Sequence, residues 1–116
     1  MDIAVKRVYD KPANRDGRRV LVDRLWPRGV KKEDARLTGW AKDLAPSDSL
    51  RKWFGHDPDR WDEFRRRYFK ELNDKSNELS ELAEWAEEKR LTLLFGAKDT
   101  EHNNAVALRE YLQQKA

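Results

Sequence analysis

Residues 91–96 read LTLLFG: five strand-forming residues without a charge, closed by glycine. A short apolar run bounded by turn signals is read as a strand buried on both faces. A second such run, Val20-Leu21-Val22, lies between Arg18-Arg19 and Asp23. The segment between the two runs is mostly helical in pattern. Two fully apolar strands separated by helices predict a parallel pair with helical cover and a right-handed crossover. The expected fold is therefore α/β: a small, mostly parallel sheet of three to four strands in a Rossmann-like three-layer arrangement.

Working outward, Ile3, Val5 and Val8 form a short strand-compatible run whose pairing direction stays open. Residues 10–17, DKPANRDG, are dense in turn formers, and WPRG at 26–29 reads as another turn. KKEDAR at 31–36 suits one helical turn, and Trp40 to Pro46 reads as irregular. Ser47 or Ser49 can cap a short helix carrying Leu50, Trp53 and Phe54. Asp57 and Pro58 suit the N-cap and first position of a longer helix, with an inward face of Trp61, Phe64, Tyr68, Phe69 and Leu72. Ser76 can cap a helix with the stripe Leu79, Leu82, Ala83 and Ala86. Asp99 or Thr100 can cap the last helix, with Ala105, Leu108, Tyr111 and Leu112 inward.

The 116 residues suit a single domain, 1–116, and five Trp, four Phe and three Tyr supply a core despite 41% charged residues. No apolar run reaches the ~18–20 residues that span a bilayer, so no membrane partner is expected. Charged Asp2 and Lys6 speak against a secretory signal, and the cytosol is the expected compartment. The absence of Cys excludes disulfides, thiolate metal sites and thiol catalysis. The two His have no zinc-type spacing, and no metal is expected. Neither GxxxxGK[ST] nor GxGxxG occurs, and no cofactor is expected.

In open α/β sheets, ligands collect at the carboxyl ends of the strands. That rule selects the loop after Val22 and the loop after Phe95. In the first, Arg24 and Arg28 can clamp a phosphate or carboxylate, Trp26 can stack on a ring, and Asp23 is a candidate acid/base. The competing reading pairs Asp23 with an Arg and puts Trp26 in the core. In the second, Lys98, Asp99, Thr100 and Asn103 precede or open a helix whose N–H groups suit an anion. Here the competing reading is simple capping by Asp99 or Thr100. Asn104 shares a stripe with Leu108 and Tyr111, so it faces the sheet and either ties the neighbouring loop or meets a ligand. His102 is a candidate acid/base or a surface residue, and His56 suits an inter-helix hydrogen bond. Arg65-Arg66-Arg67 fans around about 200° of helix and reads as a solvated face.

Three segments together carry a resemblance: VLVDRLWPRG at 20–29, WFGHDPDRWDEFRRRY at 53–68, and LLFGAKDTEHNNA at 93–105. They resemble the bacterial YeaO-like family, domain of unknown function 488, over about Val5 to Leu112. The resemblance implies a bacterial cytosolic setting and no particular reaction. Larger relatives place Cys near Phe95 and a Cys-His-Arg sequence near positions 103–105. This chain has no Cys, so a thiol-dependent activity would not carry over.

The leading expectation is a small anionic ligand, phosphate-bearing or nucleotide-like, held at the carboxyl ends of the strands, with or without catalysis. The alternative is a nucleic-acid-binding or regulatory interaction module on the stretch Arg15–Arg36, which holds eight basic and four acidic residues. The overall net charge of only +3 does not favour it. A third reading has exposed Trp residues forming a homodimer.

Overall fold

The computed structural model describes residues 1–115. Four strands form one sheet: β1 (Ile3–Arg7), β2 (Arg18–Leu21), β3 (Gly39–Trp40) and β4 (Leu91–Phe95), in the order β1-β4-β2-β3. Every pairing is parallel, which settles the direction of the first strand. β4 is central, with Leu91 opposite Ile3 on one side and Arg18 on the other. All five of its residues are buried, which is why the LTLLF run carries no polar alternation.

The helices are α1 (Lys32–Ala35), α2 (Asp48–Phe54), α3 (Trp61–Leu72), α4 (Ser76–Glu88) and α5 (Asn104–Lys115). The chain moves outward from β1 to β2 to β3, then returns to insert β4. Connections of one hand put outward and return segments on opposite faces of a sheet. Accordingly Val20, Val22, Leu91, Leu93 and Phe95 pack against α2 to α5 in one large core. Val8, Leu21 and Leu94 face the other way, onto Trp26, Val30 and Leu37. The three layers are uneven: four helices cover one face, while α1 and the early loops cover the other.

Ser47 caps α2 by accepting from Leu50 N–H at 3.2 Å. Asp57 accepts from Asp59 N–H at 3.0 Å, and a 3-10 turn at Pro58–Arg60 leads into α3. Phe64, Tyr68 and Leu72 are fully buried, and Trp61 and Phe69 are half-buried beside them. Arg65 pairs with Asp62 and Glu110, while Arg66 and Arg67 share Glu63. Gly17 has φ +65°, and a Cβ there would lie 2.2 Å from the Arg90 carbonyl oxygen, so the turn into β2 requires glycine.

Three local expectations need correction. Trp40 is not irregular but ends β3, because its backbone finds a partner strand in β2. Ser76 is the first residue of α4 rather than its cap. The last helix starts at Asn104, and Asn103 caps it by accepting from Val106 N–H at 3.0 Å. Asp99 is occupied earlier, in a turn where one of its oxygens accepts from Glu101 and His102 N–H at 2.9 and 3.0 Å. The chain needs residues 96–103 to climb from the sheet edge to the helical face.

Candidate functional site

Beyond their carboxyl ends, the neighbouring strands β2 and β4 send the chain to opposite faces. Residues after Val22 run under the sheet through Trp26 and Val30, and residues after Phe95 rise to α5. Such divergence opens a crevice at a topological switch point. A cavity of about 280 Å³ lies there, just below the usual ~300–1,000 Å³ of ligand sites.

Asp23 stands at the point of divergence. Its Oδ2 accepts from Gly96 N–H at 2.9 Å, and its Oδ1 accepts from Asn104 Nδ2 at 3.1 Å. The same Asn104 amide donates to Val22 O at 2.9 Å, so it ties β2 to α5 while facing the cavity. A Cβ on residue 96 would sit 3.1 Å from Asp23 Oδ2, which fits a glycine there. Trp40 Nε1 donates to the Asp23 carbonyl at 2.7 Å. Among the described residues, no Lys, Arg or His nitrogen comes within 4.0 Å of the carboxylate. Burial pushes the Asp23 carboxyl up; the bonds from Asn104 and Gly96 and the nearby His56 only partly offset it.

Of the residues chosen from the sequence, Asp23, Arg24, Trp26, Asn103 and Asn104 line the cavity. Arg24 is half-buried and donates to Pro46 O at 3.2 Å, which holds the 45–46 segment over the site. Trp26 donates from Nε1 to Val30 O at 2.8 Å and meets Trp40 edge-on. Asn103 is buried and internally committed, donating to Asp99 O at 2.9 Å. The remaining candidates lie off the wall. Arg28, Lys98 and Thr100 are exposed. Asp99 Oδ2 and His102 Nδ1 are 2.9 Å apart, and the His102 ring abuts Trp61 edge-on. The N–H bonds from Glu101 and His102, and then the His102 ring, hold the Asp99 carboxyl below its usual range.

Other parts of the wall were not singled out from the sequence. Arg51 and Phe54 come from α2, Phe64 from α3, and Ala45 and Pro46 from the segment before α2. His56 lines the cavity with φ +57°, a left-handed conformation that is uncommon without glycine. It makes no inter-helix hydrogen bond among the described residues. Arg7 of β1 donates to Ala97 O at 2.9 Å and props the second loop. The α2 and α3 side of the wall is contributed by segments at least 22 residues from Asp23 and 32 from Gly96 in sequence, so only Gly55-His56 between α2 and α3 offered a local signal.

Within the basic stretch 15–36, Arg18 pairs with Glu88, Arg19 is buried on Asp16, and Arg24 holds Pro46. Arg15, Arg28, Lys31, Lys32 and Arg36 stay exposed. Of the five Trp, only Trp40 is exposed, at 38%. Among the described residues no group of three or more His, Cys, Asp or Glu is placed to hold a metal ion, and no helix is long and apolar enough to cross a membrane.

Fold and crevice together define a small, all-parallel α/β domain with a cavity of about 280 Å³ at its topological switch point. Comparison with known proteins adds the family. The chain belongs to the YeaO-like DUF488 family: the family model described as the inactive DUF488-N3 subclade matches residues 2–116. It is 45% identical over 113 residues to the uncharacterized protein YeaO of Escherichia coli (strain K12), covering 97% of this chain and 98% of the relative. It is 42% identical over 110 residues to the uncharacterized protein Rv3073c of Mycobacterium tuberculosis (strain H37Rv), covering 95% and 92%. No solved structure matches the chain at a significant level.

Proposed function

We propose that this chain binds a small anionic ligand in the crevice beyond β2 and β4, and binds it without turnover. The observation that carries the reading is the composition of the wall. Arg24, Arg51 and His56 stand around a largely apolar surface of Pro27, Phe54 and Phe64 at the place where open α/β sheets bind ligands. Arginine forks match carboxylate and phosphate oxygens, and an apolar floor strengthens such contacts by excluding water. This reading replaces Arg28 and Lys98 by Arg51 and His56 as the charged partners. The description of the subclade as inactive supports binding rather than catalysis, and a chain without any cysteine has no thiol chemistry to offer.

Phosphate esters, nucleotides and short carboxylates, titrated at fixed ionic strength, should raise the melting temperature of the wild type. A ligand at 100 times its Kd adds about 2.7 kcal/mol. Arg51→Ala should remove most of that shift while leaving the unliganded protein folded. Equal shifts in both proteins would show that the anions act elsewhere. The nucleic-acid alternative rests on five exposed cations and would show itself as duplex binding that falls steeply with salt.

A further inference from the structure

Building on the anion-binding reading of the crevice, we infer that the ligand is a small zwitterion: its anionic end meets Arg51 and His56, and a nitrogen donor, an amine or amidine N–H, seats on Asp23. The reason lies in what surrounds that carboxylate. Asp23 is half-buried, and a charge partly withdrawn from water is normally paired, because leaving it unpaired is costly. Asp23 has two neutral donors, Gly96 N–H and Asn104 Nδ2, and no cation within 4.0 Å among the described residues. A carboxylate offers about four acceptor positions, so roughly two remain open.

Arg51 and His56 also line the cavity, but among the described residues neither brings a nitrogen within 4.0 Å of the Asp23 carboxylate, and the other side chains of the wall add no further donor to it. Asn104 Nδ2 already serves Val22 O and Asp23, and Asn103 Nδ2 serves Asp99 O. Arg24 is turned to Pro46 O. Pro27, Phe54, Phe64 and Ala97 bring no side-chain donor. A purely anionic ligand would bring a second negative charge towards Asp23, whose carboxylate has no cation within 4.0 Å among the described residues. A ligand with an N–H donor at that end would complete the carboxylate's shell and cancel the repulsion.

The test compares propylphosphonate with 3-aminopropylphosphonate, and the homologues with two and four carbons, on the full chain by calorimetry at constant ionic strength. The best amino probe should bind the wild type at least about tenfold more tightly than its amine-free partner, which corresponds to about 1.4 kcal/mol. In Asp23→Asn that advantage should fall within about twofold while the amine-free probe still binds. In the wild type, amide resonances of Gly96 and the Asn104 side chain should shift with the amino probe and not with its partner. This second readout decides the matter should the variant fold poorly. Equal affinity of paired probes for the wild type, or an amine advantage that survives Asp23→Asn, overturns the inference and leaves anion binding standing. Failure of every probe to bind overturns both.

Discussion

Two aspartates flank β2, one before it and one after, and the fold treats them oppositely. Asp16 is 5% exposed beneath the sheet. Its carboxylate takes Arg19 Nη1 at 2.6 Å, Lys6 Nζ at 3.1 Å and Ala13 N–H at 2.9 Å. Its carbonyl accepts from Thr92 of β4 at 2.7 Å, and Arg19 reaches on to Ala35 O of α1 at 3.0 Å. Asp23, at the other end of the strand, has neutral donors only among the described residues. Burial pushes both carboxyls up, but at Asp16 the bonds from Ala13, Lys6 and Arg19 outweigh it and the net shift is downward. At Asp23 burial wins. The comparison separates a carboxylate that holds the thin face of the sheet together from one that the fold leaves with unfilled acceptor positions inside a cavity.

The sharpest way to break this comparison is to remove Asp16. Asp16→Ala strands the buried Arg19 guanidinium, whose Nη2 already lacks a partner, and should destabilise the protein by about 3–5 kcal/mol in urea unfolding. A loss below about 1 kcal/mol would mean that Asp16 is no more structural than Asp23.

Phe64→Ala should have a similar effect, about 3–5 kcal/mol. Phe64 is 1% exposed, stacks on Phe54, and is both core and cavity wall. An unchanged urea midpoint would show that the helical side of the crevice is soft, and the contrast between a rigid frame and an open carboxylate would lose its footing.

Asp23→Asn should shift stability by no more than about 1 kcal/mol, because a costly half-buried charge and a useful acceptor are removed together. The pH dependence sharpens this further. Asp16 has a folded pKa below its ordinary 3.8, so its contribution is present above that value and is lost as pH falls through the folded pKa. Asp23 has a folded pKa above 3.8, so its contribution is complete below that value and is lost as pH rises through the folded pKa. Urea midpoints measured against pH should therefore show the advantage of wild type over Asp16→Asn shrinking towards acid. The balance between wild type and Asp23→Asn should move in favour of the variant towards neutral pH. Parallel curves for the two variants would contradict the assignment.

The smallest effect is expected at His56. His56→Gly relieves a left-handed residue and should raise stability by up to about 1 kcal/mol while weakening anion binding. A variant that is stabilised with binding intact would remove His56 from the site.

The sequence by itself determined the sheet and its helical cover. LTLLF and VLV carry no polar alternation because β4 and the end of β2 are packed on both faces, and that absence is readable locally. The stripe of α3 and the Ser47 cap are legible for the same reason, since helical period and capping act over four residues or fewer, whereas Asp57 caps the 3-10 turn before α3 and not α3 itself. The sequence also placed the loops after Val22 and Phe95 at one edge of the sheet: strand ends are local, and parallel neighbours bring them together. Only the tertiary structure decided which side chains share the cavity. Arg51, Phe54, His56 and Phe64 share the cavity with Asp23 across the β3-to-β4 return connection, and no spacing rule links positions that meet through a crossover. It also decided that Asp23 has no arginine. Arg24 is its chain neighbour, yet the backbone turn after β2 sends that guanidinium to Pro46 O and leaves the carboxylate to Gly96 and Asn104. Charge pairing in an interior depends on where side chains end up in three dimensions, and adjacency along the chain does not fix that.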